Sequence, residues 1–368
     1  AFFALDAVGD SAKTAIDAYN AKNPKVKVRI VQWGSDAYKS KMRALSASGK
    51  LPDSFRTWGG GVLKQQVDAG LVEGLTDRAK GWGEGLLSVA REPYLIDDKA
   101  YGIPFDIGMI GFWYNKALFK QAGVSAPPTT WSGFLDAVRK LKAAGITPLA
   151  LAGKEKWPGM YYWAYLAMRT AGIDALQKAA DNKDFSDPGL IQAGQHLKDL
   201  VGLKPFQKGF LGAAYSTPTG QAATMGNGKA AMELMGQWAP VVEADSGKGL
   251  GSDLGFFPFP AVEGGKGAIT EVFGGGGGHA LRKGAPQAAV DFLKFFASEA
   301  TDLELVKKTN TLPIVPGAEK ALYDPNTKAV QAQLKAATGF QLYLDQAYAP
   351  AVGQEVNDSV AALIDGSK

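Results

Sequence analysis

The sequence predicts an α/β protein of about two domains, in which mostly parallel sheets are flanked by helices. Length is the first observation, because 368 residues are more than one ordinary hydrophobic core organises. The second is that helical and strand patterns alternate through the first third of the chain, an order typical of parallel sheets. The third is composition, since 46% apolar and 21% charged residues are typical of a folded globular chain.

The alternation begins near the amino terminus. Residues 11–22 carry apolar side chains at helical spacing, and Asn23 and Pro24 end that pattern. Residues 26–30 then alternate apolar and basic side chains, which predicts a strand with one solvated face. The same reading predicts a helix over 36–48, a strand over 54–57 and a helix over 62–68.

The clearest single element is a helix that begins at Trp131. Thr129 or Thr130 can cap its first turn. Gly145 stands where a helix ends, and Pro148 blocks its continuation. The apolar stripe of this helix places Trp131 in the core. Further helices are predicted over 160–171, 190–201, 218–225 and 286–298 and from residues 328 and 354, and further strands over 255–259, 269–273 and 312–315.

Composition argues against several functional classes. The chain has no cysteine, which excludes disulfides, thiolate metal sites and a cysteine nucleophile, and its two histidines are too few for a typical zinc enzyme. A net charge of +4 is small for this length and gives little support for nucleic-acid binding. No stretch approaches the roughly 18 apolar residues of a membrane-spanning helix. We therefore expect no metal, no cofactor and no nucleic-acid partner.

Five consecutive glycines at 274–278 raise the question of a ligand. A phosphate-binding loop needs a lysine and a hydroxyl residue after the last glycine, but His279 and Ala280 follow. A dinucleotide fingerprint needs a helix directly after the glycines, and a strand-like segment stands there instead. The remaining interpretation is that Gly275 and Gly276 let the main chain approach a flat ligand ring, with a ligand-free turn or bulge as the alternative.

Three long stretches resemble a known family. They are residues 51–77, 101–151 and 226–240, which include the runs YNKALFKQAGV and GKAAM…GQW. In combination they are similar to the extracellular solute-binding proteins that deliver carbohydrates to ABC importers. Among these, the actinobacterial oligosaccharide-binding proteins, such as those for xylobiose, are the most similar in our reading, and the resemblance covers nearly the whole chain.

The resemblance implies a two-lobed, periplasmic-binding-protein-like fold with three interlobe crossovers and a ligand cleft between the lobes. The amino-terminal lobe is expected to contain 1–109 and 267–314, and the carboxy-terminal lobe 110–266 and 315–368. It further implies a monomeric extracytoplasmic receptor that closes around its ligand. Such a receptor would be held at the cell surface by a lipid on a cysteine upstream of residue 1, or lie in a periplasm, and would be recognised by the permease subunits of the importer.

Aromatic side chains are the first candidates for a sugar site, because a pyranose presents an apolar face of C–H groups. Trp58, Trp157 and Trp238 each stand beside glycine or proline residues that predict loops. Trp58 also follows a strand, at the end where open α/β sheets bind ligands. The resemblance implies that tryptophans at positions 157 and 238 stack on sugar rings. Trp113 and Trp163 are interpreted as packing residues.

Polar candidates are those that could bind sugar hydroxyls. Carboxylates form the stronger, charge-assisted hydrogen bonds, so acidic residues near predicted strand ends are included. Each has a structural alternative, such as helix capping, an ordinary strand position or simple solvation. The candidates are Asp106, Asp36, Tyr38, Lys154 and Glu271.

The function predicted from these observations is binding and delivery of an oligosaccharide, with xylobiose or a xylo-oligosaccharide as the first choice. Cellobiose, maltose and chitobiose are the alternative ligands within the same class. A glycoside-processing enzyme is a second class, although no catalytic motif and no catalytic residue is recognised among the 36 acidic residues. A receptor for a cation or metal chelate is a third class, which would favour clustered histidines, tyrosines or acids.

Overall fold

The computed structural model describes residues 2–5, 9–33, 35–309 and 311–368, and among these the side chains of 2–5, 9–12, 14, 35, 36 and 309 are not described. The strands in the described part of the chain are β1 Phe2–Leu5, β2 Arg29–Gln32, β3 Ser54–Thr57, β4 Leu95–Ile96, β5 Lys99–Ala100, β6 Ile103–Pro104, β7 Gly111–Asn115, β8 Met232–Met235, β9 Leu254–Phe257, β10 Glu271–Gly274, β11 Gly278–Leu281 and β12 Gly339–Leu342.

Helices connect and flank these strands. They are α1 Gly9–Lys22, α2 Ser35–Ala47, α3 Gly60–Asp68, α4 Ser88–Arg91, α5 Lys116–Gln121, α6 Trp131–Ala143, α7 Trp157–Ala171, α8 Ile173–Asn182, α9 Pro188–Gly202, α10 Gln221–Gly226, α11 Ala239–Ser246, α12 Gln287–Phe296, α13 Glu299–Thr309, α14 Pro325–Lys335, α15 Leu344–Ala347 and α16 Pro350–Asp365. The predicted α/β class is therefore confirmed.

The chain divides into two compact units. The first contains 1–108, 275–327 and 346–350, and the second contains 109–274, 328–345 and 351–368. Apart from a shift of one residue at Met109, the division differs from the predicted lobes in three stretches. Residues 267–274 join the second unit because β10 pairs with β12. Residues 315–327 join the first, where Asp302 in α13 accepts hydrogen bonds from the Ile314 and Val315 N–H groups.

The third difference adds two crossings of the chain to the three that the resemblance implies. Residues 346–350 return to the first unit between two segments of the second. They pack there on the start of α3, where a β-carbon on Gly61 would lie 2.6 Å from the carbonyl carbon and oxygen of Tyr348. Contact with α3 thus accounts for the short return.

The first unit is built on a five-stranded mixed sheet with the order β2-β1-β3-β11-β6. β1 pairs in parallel with β2 and β3, whereas β11 is antiparallel to β3 and β6. The expectation of mostly parallel sheets is therefore wrong in detail. The late strand β11 follows a long excursion of the chain through the second unit and enters this sheet in the opposite direction.

One core of the first unit lies against strands β3 and β11. Its buried members are Tyr38, Met42, Leu51, Phe55, Leu63, Val72, Tyr94 and Ala280. Trp33 and Trp58 pack against its edge and are partly buried. The β3 residues of this sheet are buried throughout, so Trp58 leaves the core directly after the strand ends at Thr57.

The second unit contains a three-stranded antiparallel sheet of order β8-β7-β9 and a parallel pair, β10-β12. Its central helix is α7, which is buried from Trp157 through Arg169. Aromatic rings fill the core beside it: Tyr165 stacks on Phe259 at 4.7 Å between ring centroids, and Trp131 stacks on Phe259 at 5.6 Å. The predicted core position of Trp131 is confirmed, as are those of Trp113 and Trp163.

Two predicted strands differ from the structure for identifiable reasons. The strand predicted at 26–30 is shifted to β2, because the Asn20 amide bonds both the N–H and the C=O of Val28. Those groups are then no longer available to a neighbouring strand. The segment 312–315 is not a strand, because its N–H groups bind the Asp302 carboxylate instead. In both cases a side chain replaces the sheet as the partner of the backbone.

Candidate functional site

Five aromatic side chains of the second unit form a connected group, here named the aromatic cluster: Trp157, Tyr161, Tyr215, Trp238 and Tyr343. The Trp157 ring lies 5.4 Å from Tyr161 and 5.6 Å from Tyr215, measured between centroids. Tyr343 connects the other side, at 5.8 Å from Tyr161 and 6.3 Å from Trp238. The two tryptophans predicted to stack on sugar are thus brought into one cluster.

The ends of secondary-structure elements position both tryptophans. Trp157 is the first residue of α7, with Pro158 in the first turn, where a missing N–H removes no helical hydrogen bond. Trp238 immediately precedes α11, and its six-membered ring lies directly over Gly236. A β-carbon at residue 236 would overlap that ring, so glycine is required there for the ring to take this position.

The exposure of the two tryptophans differs. Trp238 is partly exposed, whereas only 7% of Trp157 is exposed. The predicted loop setting of Trp157 is wrong, because the helix begins at Trp157 itself and carries the ring into the cluster. The Trp157 indole N–H nevertheless has no hydrogen-bond partner among the described residues, although it is buried. Such a donor is costly to leave unpaired, so it marks a position where a ligand acceptor would be stabilising.

Tyrosine hydroxyls supply neutral hydrogen-bonding groups to the cluster. Burial raises the pKa of Tyr161 and of Tyr215 well above the ordinary value, so both hydroxyls keep their protons at physiological pH. The Tyr215 hydroxyl is buried, and no described residue meets the geometry of a hydrogen bond with it. The Trp238 side chain nevertheless lies close enough to lower the pKa of Tyr215, which opposes part of the rise that burial causes. A protonated hydroxyl can either donate to a ligand or accept from it.

Two buried glutamates lie close to Tyr215 of the cluster. Glu233 in β8 and Glu243 in α11 are both 0% exposed. Burial raises the pKa of each carboxyl above its ordinary range, and for Glu243 the charge of Glu233 raises the pKa further. The charges of both also raise the pKa of Tyr215. We name Glu233 and Glu243 the carboxyl pair.

Trp58 in the first unit follows β3 and is partly exposed. Its ring packs edge-on against Tyr38 at 6.0 Å between centroids. Two cations also lie over the ring, with Lys39 Nζ at 5.4 Å and Arg56 Cζ at 5.1 Å from its centroid. Trp58 therefore lies at the carboxyl end of a strand, as its sequence position predicts. The structure adds that its neighbours are cationic and aromatic side chains.

The structure corrects the prediction for Tyr38. The side chain is 1% exposed, and its hydroxyl donates to the Arg56 carbonyl oxygen at 2.6 Å. It is a core residue that supports Trp58. Asp36 lies in α2, but its side chain is outside the described residues, so the prediction for Asp36 stays a prediction.

The structure also corrects the predicted role of Gly276. A β-carbon there would overlap the Asp106 carbonyl oxygen, and one on Gly277 would overlap the Phe105 ring. The space beside these glycines is filled by the protein's own atoms rather than left open for a sugar. Gly275 donates its N–H to the Gly108 carbonyl oxygen at 3.1 Å, which fixes the start of the same segment.

Asp106 belongs to this packing arrangement. The residue is 8% exposed, and its carboxylate accepts a hydrogen bond from the Gly277 N–H. Burial raises the pKa of Tyr94, and the nearby charge of Asp106 raises it further. The Tyr94 hydroxyl donates a hydrogen bond to the Gly276 carbonyl oxygen at 3.3 Å. Asp106 thus holds the glycine segment in place, which favours its structural alternative over a direct sugar contact.

Lys154 and Glu271 lie in different surroundings within the second unit. Lys154 is exposed on a short turn at 153–155, three residues before Trp157. Glu271 lines a groove of about 680 Å³ with Lys178 and Lys266, and no member of the aromatic cluster lines that groove. Lys154 is therefore close to a member of the aromatic cluster in sequence, whereas Glu271 lines a groove that contains no member of the cluster.

Three cluster members were not among the predicted site residues: Tyr161, Tyr215 and Tyr343. Tyr161 was hidden in an apolar run, Tyr161 to Tyr165, that reads as core. Tyr215 and Tyr343 lie in segments that carry no local signal, and only the fold brings them to Trp157 and Trp238. Within the described part of the chain, no group of three or more acidic or histidine side chains is arranged to hold a metal ion.

Comparison with known proteins agrees with this architecture. The chain belongs to the family of bacterial extracellular solute-binding proteins, whose profile matches residues 5–302. Members of this family are binding proteins, not enzymes. No helix in the described residues has both the length and the apolar character needed to cross a membrane.

Three relatives illustrate the similarity. The multiple sugar-binding protein of Streptococcus mutans serotype c is 27% identical over 336 residues, which are 88% of this chain and 76% of that protein. A structure from work on xylan utilization by Caldanaerobius polysaccharolyticus is 30% identical with a TM-score of 0.91, over 100% of this chain and 95% of that one. A chitin oligosaccharide binding protein is 28% identical with a TM-score of 0.88, over 99% and 93%.

Proposed function

We propose that this protein is an extracytoplasmic receptor that binds an oligosaccharide on the aromatic cluster and delivers it to an ABC importer. The observation that carries the proposal is the cluster itself, in which a partly exposed Trp238 is connected to Trp157 through the rings of Tyr343 and Tyr161. Flat aromatic surface suits the apolar face of a sugar ring. The names of the relatives, which refer to sugars, chitin oligosaccharide and xylan, support the same ligand class.

Polar groups in the cluster supply a reason for specificity. We assign the Trp157 indole N–H and the Tyr215 hydroxyl to hydrogen bonds with ligand hydroxyls, because both are buried without a normal partner. Lys154, exposed on the preceding turn, is a further candidate. A site whose buried polar groups must be paired discriminates strongly against ligands that lack the matching hydroxyl.

Among oligosaccharides we favour xylobiose or a longer xylo-oligosaccharide. The support is the xylan-related structure, which has 30% identity and covers the whole chain. The chitin oligosaccharide binding protein is nearly as similar, at 28% identity, so chitobiose is the main alternative. Cellobiose and maltose complete the set of disaccharides that the proposal must distinguish.

We further propose that residues of both units, including Trp58 of the first, contact the ligand. Binding would then shift an equilibrium from an open to a closed form, and the permease would recognise the closed form. Membership of an extracellular family supports a location outside the cytoplasm. A monomeric state and a lipid anchor on a cysteine upstream of residue 1 belong to the proposal and follow from the resemblance.

Isothermal titration calorimetry with xylobiose, chitobiose, cellobiose and maltose tests the proposal. We expect saturable binding of at least one disaccharide, with xylobiose the tightest, and no release of monosaccharide during incubation. Turnover of a disaccharide would favour the glycosidase alternative. Absence of heat with every sugar in the panel and with xylotriose would contradict the proposed ligand class.

A further inference from the structure

The carboxyl pair is arranged around the residue that presents Trp238. Glu233 lies in β8 and Glu243 in α11, and the short connection 236–238 joins these two elements. Trp238 is the last residue of this connection. Strand, connection and helix therefore form one bend, with Trp238 at the bend and one buried carboxyl on each arm.

Hydrogen bonding fixes the position of Glu233. The Gln221 side-chain oxygen accepts the Ala152 N–H at 2.7 Å, so its amide nitrogen must point the other way. That nitrogen donates to Glu233 Oε2 at 2.9 Å. The second oxygen of Glu233 and both oxygens of Glu243 do not meet the geometry of a hydrogen bond with any described residue, although the two carboxyls lie close enough to affect each other's pKa.

Among the described residues, no cation compensates the charge of the carboxyl pair. Tyr162 of α7 faces Glu233, and Tyr215 faces both carboxyls. Neither glutamate interacts with a lysine or arginine in the described part of the chain. Two charged carboxylates at this place would repel each other with little screening, because both are fully buried.

The two carboxyls titrate as a pair. Burial raises the pKa of both, and each also affects the pKa of the other. The pair therefore retains a shared proton to a higher pH than an exposed glutamate does. One carboxyl can be ionised while the other stays neutral, as in other carboxyl pairs that share a site.

We propose that Glu233 and Glu243 are positioning residues for Trp238, and that one proton shared by the pair holds α11 and the 236–238 connection against β8. When that proton is lost at higher pH, repulsion separates the two arms of the bend and moves Trp238 relative to the aromatic cluster. The role of Trp238 in sugar binding rests on the proposed function, whereas the proton-dependent position of its ring does not.

Fluorine NMR without any sugar tests the positioning directly. The protein is labelled with 5-fluorotryptophan, the Trp238 resonance is assigned with Trp238→Phe, and spectra are recorded from pH 5.5 to 9. We expect one titration of this resonance in the wild type and none in Glu243→Gln, because the single carboxylate that remains has no second negative charge to repel it. Asp245→Asn is the matched control, an exposed acid of the same helix, and should titrate as the wild type does.

A resonance that is flat in the wild type, or that titrates equally in Glu243→Gln, would overturn the proposal. Glu233→Gln provides a second variant if Glu243→Gln does not fold, and it should also abolish the titration. A merely structural role would change the resonance position but would leave its pH dependence in place.

Calorimetry with the same disaccharide panel at pH 6 and pH 8.5 tests the consequence for binding. We expect the wild type to bind several-fold more weakly at pH 8.5 and Glu243→Gln to bind equally at both. If no sugar binds at either pH, the proposed function fails, while the fluorine titration still decides the positioning role. Equal wild-type affinity at the two pH values would overturn the link between the carboxyl pair and sugar binding.

Discussion

Trp238 combines accessibility with a fixed orientation, since Gly236 lies beneath its ring and Tyr343 packs against it. We expect Trp238→Ala to weaken disaccharide binding by about 2 kcal/mol, or about 30-fold in Kd, because a large apolar contact is removed. The unfolding free energy should change by less than about 1 kcal/mol, since the side chain is partly exposed in the free protein. Calorimetric titration and denaturant unfolding measure the two quantities.

A second tryptophan substitution provides the control for Trp238. Trp82 is also partly buried, and its indole N–H donates to the Arg78 carbonyl oxygen at 3.2 Å in the first unit. Trp82→Ala should leave Kd unchanged. Equal affinities of the wild type and Trp238→Ala would remove Trp238 from the binding site.

Trp157 allows the polar contribution to be separated from the aromatic one. Trp157→Phe keeps a ring beside Tyr161 and Tyr215 but removes the buried, unpaired N–H. We expect roughly tenfold weaker binding, because a ligand hydrogen bond contributes about 1 kcal/mol or slightly more. Stability in the absence of ligand should fall about as much as in Trp131→Phe, because each substitution removes part of a buried indole and no hydrogen bond of the free protein. Titration calorimetry of the variant provides the measurement.

Trp131→Phe is the matched control for Trp157→Phe. Trp131 is 3% exposed, and its indole N–H is likewise buried without a partner among the described residues. It lies in the core of the second unit, where it stacks on Phe134 and Phe259. A loss of affinity in Trp131→Phe as large as that in Trp157→Phe would show that general core damage, rather than a ligand contact, causes the effect.

Among the secondary-structure elements, the glycine-rich segment 274–278 packs closely against neighbouring parts of the chain because its residues have no β-carbon. Gly276→Ala would place a β-carbon against the Asp106 main chain, and we expect it to lower the unfolding free energy by about 1–3 kcal/mol. Gly202→Ala, at the end of α9, is the control, because no atom lies within 4 Å of its added β-carbon. Denaturant unfolding compares the two variants. Unchanged stability with weakened sugar binding in Gly276→Ala would restore the ligand role predicted from the sequence.

Asp302 in α13 holds the segment that the sequence predicts as a strand. Its carboxylate accepts N–H bonds from Ile314 at 3.2 Å and Val315 at 2.9 Å. We expect Asp302→Ala to lower the unfolding free energy by about 2 kcal/mol, because one buried and one partly buried N–H donor lose their acceptor. Glu304→Ala, an exposed acid of the same helix, should change it by less than about 0.5 kcal/mol. An equal effect of the two substitutions in denaturant unfolding would contradict this role.

The same carboxyl predicts a pH dependence of stability. Burial raises the pKa of Asp302 to about 6, above the ordinary aspartate value of 3.8 that applies to the unfolded chain. The folded state therefore binds more protons between these values, and the contribution of Asp302 to stability is lost as pH rises through about 6. The stability of the wild type relative to Asp302→Asn should be greater at pH 4.5 than at pH 7.5. The opposite trend in denaturant midpoints would show that the charged form is favoured by folding.

Local signals predict some elements well and others poorly. Helix α6 is predicted correctly because its cap and stop lie in the sequence next to it: Thr130 accepts from the Gly133 N–H, and Gly145 takes the left-handed conformation. The strand predicted at 312–315 does not form, because the Asp302 side chain of α13 accepts hydrogen bonds from the N–H groups of Ile314 and Val315. Sequence periodicity carries information on burial but none on which distant group will pair with the backbone.

At the scale of the whole molecule, the sequence resemblance correctly predicts the family, the α/β class and the absence of enzymatic function. Of the aromatic cluster, it singles out Trp157 and Trp238 but not Tyr215 or Tyr343, and the role of the cluster in sugar binding stays a prediction. Those residues join the cluster through contacts between segments that are far apart in the chain. The role of Gly276 was missed for the same reason, since what fills the space beside a glycine is decided by the fold.

Domain closure is the prediction that belongs to the whole chain. If residues of both units contact the ligand, binding should favour a more compact form. We expect the radius of gyration from small-angle X-ray scattering to decrease when the tightest disaccharide of the panel is added at saturation. A sugar that gives no calorimetric signal is the control. An unchanged radius with a saturating ligand would contradict closure while leaving sugar binding itself intact.

The aromatic cluster extends beyond the region that defines membership of the family. The profile match ends at residue 302, whereas Tyr343, which contacts both Tyr161 and Trp238, lies further along the chain. One side of the proposed recognition surface therefore lies outside the residues that the family profile matches. A substitution at Tyr343 would change that side without altering any residue by which the family is recognised.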